Sequence, residues 1–151
     1  MNTFFFRPDK TMDAYQNKRP GKDAGYDLLA LEDTWLWPLQ TKAIPTNSHI
    51  HIPENHLGRV TSRSGHAKRG WLTHPGTVDN GYSGNIGVIQ TNLSFLPRRV
   101  KKGERIAQLI FMPFSAPEME EIPHIVDYEF IVAHNSNSDR GNKAYNSSGT
   151  M

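Results

Sequence analysis

The segment PGTVDNGYSG at residues 75–84 holds the residues whose types and spacing could do chemistry. Asp79 places a carboxylate just before a predicted turn, and Tyr82 places an aromatic ring just after it. Between them, Asn80-Gly81 favours the pair of positive φ angles that a two-residue β-hairpin turn needs. A rigidly supported turn is a suitable place for a chemical site. Taken alone, the segment is also compatible with an ordinary turn in which Asp79 is only the starting residue.

Three further stretches contain polar groups that could contact a ligand. Arg63-Ser64-Gly65 ends a predicted strand and opens a turn or short helix, so its backbone N–H groups could receive an anion. Asp27 lies at the start of an apolar strand within AGYDL, where a surface carboxylate is the simpler interpretation. Gln108 lies inside the apolar stretch GERIAQLIF, and an amide there must find a partner in a neighbouring strand or in a ligand.

The end of the chain, from Ala133 to Met151, differs in composition from the rest. It contains almost no branched aliphatic side chains, so alone it cannot bury enough apolar surface to offset the entropy lost on ordering. We therefore expect a mobile tail, and a plain disordered tail is the simplest alternative. Several of its residues, placed among glycines, are typical of a segment that orders around a phosphate-bearing ligand: Arg140, Lys143, Tyr145, Ser147 and Ser148.

The composition limits the class of protein. A chain of 151 residues suggests one domain, large enough to fold without a disulfide or a structural metal. It has no cysteine, which excludes disulfides and thiolate zinc sites, and no run as long as a membrane span. A net charge of +2 and a pI near 8.9 are too mild to indicate nucleic acid but suit an anionic small molecule. We expect a soluble, cytoplasmic protein that binds neither membranes nor, stably, nucleic acid.

Short apolar runs separated by Gly, Pro, Asn and Asp recur along the chain, and no long helical period is present. This spacing predicts an all-β sandwich or barrel with at most one short helix, at Ser64–Arg69. A basic turn is expected at Pro97–Gly103. The predicted strands are Thr3–Phe6, Tyr26–Leu31, Trp35–Trp37, Lys42–Ile44, Ser48–Ile52, Leu57–Ser62, Asn85–Asn92 and Arg105–Phe114.

Five stretches, in this order, resemble the five motifs of the trimeric dUTP diphosphatase (dUTPase) family. AGYDL matches the first motif, RSG the second and GTVDNGYSG the third. GERIAQLIF matches the fourth motif, and RGNKAYNSSG matches the glycine-rich fifth. The resemblance runs from about Ala24 to Gly149. Each motif is unspecific alone, but five in order with compatible spacing indicate the family.

The resemblance implies that the third motif contacts the nucleoside. Asp79 would be the base that orients and deprotonates a water. Tyr82 would lie against the deoxyribose and leave no space for a 2′-hydroxyl. The residues implied to line the uracil pocket, the first two through their backbones, are Thr77, Val78, Thr73 and Gly87.

The resemblance assigns the triphosphate to the second, fourth and fifth motifs. The residues implied to hold phosphates are Arg63, Ser64, Gly65 and Gln108. From the tail, Tyr145 would stack on the base, while phosphates would be gripped by Arg140, Ser147 and Ser148. Magnesium would arrive with the phosphates and need no direct protein ligand. Asp27 would support either a metal-bound water or Arg63.

The family's fold and assembly complete the expectation. The resemblance implies a distorted jelly-roll-like β-barrel over residues 1–133 and a mobile tail, residues 134–151, that closes over an active site. It also implies a homotrimer whose active sites are shared between subunits. The implied reaction is hydrolysis of dUTP to dUMP and pyrophosphate by attack at the α-phosphorus. That reaction limits uracil incorporation into DNA and supplies dUMP for thymidylate synthesis.

Two other functions remain as alternatives. A dCTP deaminase resembles dUTPase in fold but needs a glutamate on the strand after the predicted hairpin, where this chain has Ile89 and Gln90. Its second motif also tends to show two serines, where this chain has Ser64-Gly65. A single-strand nucleic-acid-binding barrel would instead use the basic residues Arg98, Arg99, Lys101 and Lys102. A solvated basic turn explains those four residues equally well.

A few residues depart from the family pattern. Gly81 stands where a second Asp is common in the third motif. Ala144 and Asn146 replace two glycines of the fifth motif, which stiffens the tail and excludes some positive-φ conformations. His66 stands where an apolar residue is usual, and like His74 it is expected to be incidental to the chemistry.

Overall fold

Strands form almost all of the regular structure. The computed structural model describes residues 3–13, 19 and 21–121, and in these it contains eleven strands and one short helix. The strands are β1 (Phe5–Phe6), β2 (Tyr26–Leu29), β3 (Thr34–Leu36), β4 (Thr41–Ile44), β5 (His49–Ile50), β6 (His56–Thr61), β7 (Trp71–Thr73), β8 (Gly76–Val78), β9 (Val88–Asn92), β10 (Arg98–Val100) and β11 (Arg105–Pro113), and the helix is α1 (Ser64–Lys68). The predicted all-β class with one short helix is confirmed.

The chain divides into two compact units, Met1–Ser115 and Ala116–Met151. The strands and the helix all belong to the first unit, and residues 116–121 of the second have no regular secondary structure. The predicted tail, residues 134–151, and its boundary at residue 133 lie outside the described residues. Within the described part, no helix has the length and apolar character needed to cross a membrane.

The strands pair in antiparallel fashion and form four sheets in the described part of the chain. The largest has the order β2-β11-β6-β8, with the nine-residue β11 between β2 and β6. A second sheet has the order β4-β9-β7, and two-stranded sheets join β1 to β5 and β3 to β10. The prediction that residues 105–114 form a central strand is therefore confirmed, with the strand ending at Pro113.

The hydrophobic core combines side chains from both larger sheets. The four-stranded sheet contributes Leu28, Val60 and Leu109, and the three-stranded sheet contributes Ile44 and Val88. Burying each of these aliphatic side chains stabilises the fold by about 1.5–3 kcal/mol. Antiparallel sheets closed around one core are the arrangement of a jelly roll.

The loop between β8 and β9 is not the two-residue hairpin that Asn80-Gly81 predicts. β8 pairs with β6, whereas β9 pairs with β4 and β7, so the chain crosses between sheets here. The Tyr82 N–H donates to the Asp79 carbonyl at 3.0 Å and closes a four-residue turn. In the described part of the chain, positive φ angles occur elsewhere and not at residues 80 and 81. The prediction is wrong because Asn-Gly selects a hairpin turn only where the flanking strands pair with each other.

The basic stretch Pro97–Gly103 is also more than a turn. Its residues 98–100 form β10 and pair with β3, with Arg98 opposite Leu36. The Arg98 guanidinium lies 4.5 Å from the centre of the Trp71 ring. An arginine fits a partly buried strand position because its stem packs on apolar surface while its charge rests on an aromatic face. The number of charged residues alone therefore predicts a turn for residues 98–100, whereas they form a strand.

Candidate active site

Outside the tail, six residues are predicted to act on the water or contact the nucleoside, and five of them lie around one pocket of about 210 Å³, called here the loop pocket. They are Thr77, Val78, Asp79, Tyr82 and Gly87. The pocket is completed by Val60, Gly76, Asn85 and Ile86. The carboxylate and the aromatic ring of the third motif thus meet in one place, although the loop that carries them is not a hairpin.

Asp79 follows directly on β8, which the sheet holds in place. β8 pairs with β6, so that Val78 lies opposite Gly58. A Cβ at Gly58 would lie 3.0 Å from Leu109 Cδ1 and 3.3 Å from Val78 Cβ, so a larger residue there would push these side chains back by a few tenths of an ångström. The Asp79 side chain is exposed at the pocket, where it can contact both a ligand and water.

The Tyr82 ring is fixed by two contacts inside the loop. Its hydroxyl donates to the Asn85 carbonyl at 2.9 Å. The ring also lies against Gly84, where an added Cβ would overlap the Tyr82 hydroxyl. Tyr82 nevertheless remains 48% exposed, so part of the ring is available to a ligand.

Asn85 lines the loop pocket, although its sequence position carried no clear signal. Its Oδ1 accepts from the Thr46 N–H at 2.9 Å, and its Nδ2 donates to the Thr46 carbonyl at 2.6 Å. The Asn85 side-chain amide therefore makes the two backbone hydrogen bonds that a neighbouring strand would make, and it links the β8–β9 loop to Thr46. An Asn that follows Gly is equally typical of an ordinary turn, which is why the pattern could not identify this role.

Thr73, the sixth residue predicted for the nucleoside, does not line the loop pocket. It lies on β7 opposite Gln90 of β9 and is only 6% exposed. Its hydroxyl accepts a hydrogen bond from Gln90 Nε2 at 2.8 Å. The side chain therefore belongs to the interior of the protein.

The residues predicted to hold phosphates surround a second, larger pocket of about 910 Å³, called here the arginine pocket. Arg63, Ser64, Gly65 and Gln108 all line it, together with Asp27. The other lining residues are Arg19, Lys22, Asp23, Ala24, Gly25, Ser62, Arg105 and Ile110. Four cations line this pocket against two carboxylates, so its potential favours an anionic ligand.

Asp27 holds two arginines of the arginine pocket. Its Oδ1 lies 2.9 Å from Arg63 Nε, and its Oδ2 lies 3.5 Å from Arg105 Nε. The carboxylate is largely buried, with 16% of its side chain exposed. The expected contact between Asp27 and Arg63 is therefore present, and it fixes the direction of the guanidinium.

Gln108 finds the partner that its place in an apolar strand requires. Its Nε2 donates to the Ser62 carbonyl at 3.1 Å. A Cβ at Gly25 would lie 2.5 Å from Gln108 Oε1 and 3.1 Å from Gln108 Cβ. The glycine of AGYDL thus makes room for an amide at the arginine pocket.

Three cations of the arginine pocket were not predicted. Arg105 belongs to GERIAQLIF, but its contact with Asp27 depends on the pairing of β11 with β2. Arg19 and Lys22 come from the segment before β2. Arg19 donates to Asp23 Oδ1 at 2.6 Å, and this hydrogen bond lowers the pKa of the Asp23 carboxyl. The path of that segment has no periodic pattern from which these positions could be read.

A metal ion at this site would need ligands beyond the residues that the structure describes. Within the described residues, no group of three or more His, Cys, Asp or Glu could hold one. The carboxylates of the arginine pocket, Asp23 and Asp27, each pair with an arginine. Magnesium, which keeps several waters and binds phosphate oxygens, fits such a donor set.

The two pockets have no lining residue in common. One copy of the chain therefore presents two separate pockets, one with a carboxylate and a ring, the other with cations. The tail residues predicted to contact the ligand, Arg140, Tyr145, Ser147 and Ser148, lie outside the described residues.

The protein is therefore all-β, and one of its pockets carries a carboxylate and an aromatic ring while the other carries four cations. The family model described as dUTPase matches residues 12–146, most of the chain. The chain therefore belongs to the dUTPase family.

Individual relatives agree with this assignment. A deoxyuridine 5′-triphosphate nucleotidohydrolase of Clostridium kluyveri is 36% identical over 132 residues, which cover 85% of each chain. The protein of the same name from Mus musculus is 38% identical over 107 residues, or 70% of this chain and 66% of that one. A mutant dUTPase of Staphylococcus bacteriophage 80alpha, solved with dUpNHpp, is similar in structure, with a TM-score of 0.83, 27% identity and 99% of each chain covered.

Proposed function

We propose that this chain hydrolyses dUTP to dUMP and pyrophosphate by attack of water at the α-phosphorus. The observation that carries the proposal is the pair of pockets, because a nucleoside triphosphate needs both a nucleoside pocket and a cationic one. Relatives named deoxyuridine 5′-triphosphate nucleotidohydrolase, and a similar phage dUTPase solved with dUpNHpp, support dUTP as the nucleotide.

In the loop pocket, Asp79 is the base that orients and deprotonates the attacking water. The backbones of Thr77 and Val78 read the edge of the uracil from β8. Tyr82 packs against the deoxyribose and leaves no space for a 2′-hydroxyl. The hydrogen bond from Tyr82 to the Asn85 carbonyl supports this role, since a fixed ring excludes a larger sugar more strictly than a mobile one.

In the arginine pocket, the chain positions the triphosphate and offsets its charge, which is most of what phosphoryl transfer needs from a protein. Arg63 carries a planar guanidinium that matches phosphate geometry, and Asp27 sets its direction. Gln108 and the turn at Ser64-Gly65 complete this pocket. From the tail, the residues proposed to close on the nucleotide are Arg140, Tyr145, Ser147 and Ser148.

Magnesium is the proposed cofactor. When bound with the triphosphate, the ion offsets phosphate charge and orients the phosphates for attack. Asp27 would support either one of its waters or Arg63, and its ion pair with Arg63 favours the second role. Chelation with EDTA should therefore stop turnover while leaving the fold unchanged.

We also infer a homotrimer in which the loop pocket of one copy faces the arginine pocket of another. The two pockets of one chain have no lining residue in common. A complete site would form where the loop pocket of one copy meets the arginine pocket of another. Closed threefold symmetry would then give three equal sites. The proposed reaction would limit uracil incorporation into DNA and supply dUMP for thymidylate synthesis.

Two placements favour hydrolysis over the alternatives. Ile89 is 46% exposed, and Gln90 is buried against Thr73. Neither residue lines the loop pocket, so neither can transfer a proton to a nucleobase bound there, as a deaminase would require.

The nucleic-acid-binding alternative depends on the basic stretch, and three of its cations contact neighbours in the fold. Arg98 lies on Trp71, Arg99 lies 3.4 Å from Asp33, and Lys102 lies 2.6 Å from Asp9.

Incubation with each deoxynucleoside triphosphate and magnesium tests the function. We expect only dUTP to release pyrophosphate, with the uracil base unchanged in the dUMP product. Conversion of a cytosine base to uracil would instead indicate a deaminase. Salt-dependent binding of an oligonucleotide without turnover of any nucleotide would favour a nucleic-acid-binding barrel.

A further inference from the structure

The loop that carries Tyr82 has open space on two sides. On one side lies the loop pocket, and on the other lies a groove of about 360 Å³, called here the phenylalanine groove. Tyr82 lines both cavities, so it forms part of the wall between them. The other residues that line the groove are Phe4, Phe5, Phe6, His49, Ile50, His51, Asn80, Gly81 and Ser83. A wall with a groove behind it needs a support if it is to hold its position against a ligand.

The end of this loop nearest β9 is held by the segment that leads into β5. The Asn85 side chain makes two hydrogen bonds with the Thr46 backbone, and the Thr46 hydroxyl donates to the Ile86 carbonyl. The Ile86 N–H donates to the Ser48 carbonyl at 3.0 Å. These bonds fix residues 85 and 86, but they do not reach the tip of the loop at residues 80–83.

The tip of the loop has few contacts of its own. Asn80, Gly81 and Ser83 are exposed. A Cβ at Gly81 would meet nothing within 4 Å, and a glycine adds backbone freedom. Exposed segments with few contacts are the parts of a fold that move most readily, and Tyr82 would move with this one.

His49 supports the tip from the other side of the groove. Its Nδ1 lies 3.1 Å from the Ser83 carbonyl oxygen. A carbonyl can only accept, so Nδ1 carries the proton of this hydrogen bond. Within the described residues, no other hydrogen bond joins residues 80–83 to a different element of the fold. The position of the residue next to Tyr82 therefore depends on the His49 side chain.

The His49 ring is itself held by a sheet. β5 pairs with β1, and His49 lies opposite Phe6. The Phe6 and His49 rings meet edge to face, with centres 5.7 Å apart and planes 66° apart. Ile50, the next residue of β5, is buried in the hydrophobic core. The support for the loop thus comes from a strand that the core and a ring contact keep in place.

We propose that His49 is a positioning residue, which holds the Ser83 carbonyl and thereby keeps the Tyr82 ring against the sugar of the nucleotide. This inference rests on the proposed function, since it requires the sugar to lie against Tyr82. A supported ring leaves no room for a 2′-hydroxyl, whereas a ring that can move back into the phenylalanine groove does. His49 thus sets the preference for deoxyribose over ribose, although it does not line the loop pocket.

Calorimetric titration with dUMP and UMP measures this preference. We expect the wild type to bind dUMP more tightly than UMP. In His49→Ala, the ratio of the two affinities should fall about tenfold, the effect of one hydrogen bond, chiefly because UMP binds more tightly. Loss of structure alone would weaken both nucleotides, so a gain in UMP affinity identifies a positioning role. His49→Asn should restore most of the preference, because its amide keeps a donor close to the position of Nδ1.

His51→Ala is the matched control, since His51 lines the same groove and its ring contacts Phe4, with centres 6.0 Å apart. It should keep the wild-type ratio. In the wild type, nitrogen NMR should show that the neutral His49 ring carries its proton on Nδ1.

An unchanged ratio in His49→Ala, equal weakening of both nucleotides or a neutral His49 ring protonated on Nε2 would overturn the proposal. If the wild type itself binds UMP as tightly as dUMP, the proposed nucleoside pocket fails together with this inference. A wild-type preference that survives in His49→Ala defeats this inference alone.

Discussion

Single side chains at both pockets are held in place by neighbouring residues. Asp27 directs Arg63, and the Asn85 carbonyl holds the Tyr82 hydroxyl. Gly25 leaves the space in which Gln108 lies. Precise placement of a few groups is what effective positioning of a triphosphate requires.

Asp79→Asn tests the proposed base. The amide keeps the shape and can still hydrogen-bond, but it cannot accept a proton from water. We expect turnover of dUTP to fall by about two to four orders of magnitude, while dUpNHpp still binds. Steady-state kinetics and calorimetry measure the two quantities. Asp33→Asn, an exposed carboxylate outside both pockets, is the control, and near-normal turnover of Asp79→Asn would exclude this role.

The pH dependence of stability tests the environment of His66. The ring is fully buried, and burial lowers its pKa from 6.5 to about 4 on folding, so the folded ring binds a proton less readily than the unfolded one. Acid therefore favours the unfolded chain, and the stabilisation present above pH about 6.5 is lost as the pH falls toward 4. The effect is on the order of 3 kcal/mol per chain over this range.

The measurement is the free energy of unfolding by urea at several pH values and one protein concentration. Other groups also titrate in this range, so the wild type is compared with His66→Leu. The wild type should lose more stability than the variant between pH 6.5 and 4. Equal pH dependence in the two proteins would show that the ring titrates normally.

At the scale of strands and loops, apolar periodicity predicts more than local turn chemistry does. The long apolar stretch of β11 predicts a central strand because such a run requires neighbours on both sides. Asn80-Gly81 does not form a hairpin turn because β8 and β9 pair with other strands, and this long-range pairing decides the turn. The motif residues of both pockets were predictable from resemblance. Asn85 and Arg105 were not assigned, since their contacts depend on how distant segments meet.

Gly25→Ala tests the packing of β2 against β11. The added Cβ would lie 2.5 Å from Gln108 Oε1, so the amide must move away from its place at the arginine pocket. Overpacking of this kind costs about 1–3 kcal/mol of folding free energy. We also expect the KM for dUTP to rise by about tenfold, because Gln108 is displaced from the arginine pocket.

Thermal unfolding and steady-state kinetics check both effects. Gly81→Ala is the matched control, since a Cβ there meets nothing within 4 Å and the residue has no positive φ. It should leave the midpoint of unfolding nearly unchanged. A Gly25→Ala protein with normal stability and a normal KM would mean that the Gln108 side chain adapts freely.

At the scale of the whole molecule, the presence of two pockets without a common lining residue is the feature that bears most on the proposed function. A single copy carries the loop pocket on the β8–β9 crossing and the arginine pocket around β2, β11 and α1. If the loop pocket of one copy and the arginine pocket of another form one active site, the protein must assemble to be active. The particle should then have about three times the chain mass of 17.1 kDa by light scattering.

Mixing two inactive variants tests this account most directly. Asp79→Asn damages only the loop pocket, and Arg63→Ala damages only the arginine pocket. The two proteins are unfolded, combined in equal amounts and refolded, with each variant refolded alone as a control. Random assembly then places an intact loop pocket beside an intact arginine pocket at about a quarter of the sites. If the sites are shared between copies, the mixture should recover about a quarter of wild-type dUTP turnover. Activity no greater than the average of the two separate variants, despite proven exchange of subunits, would contradict shared sites.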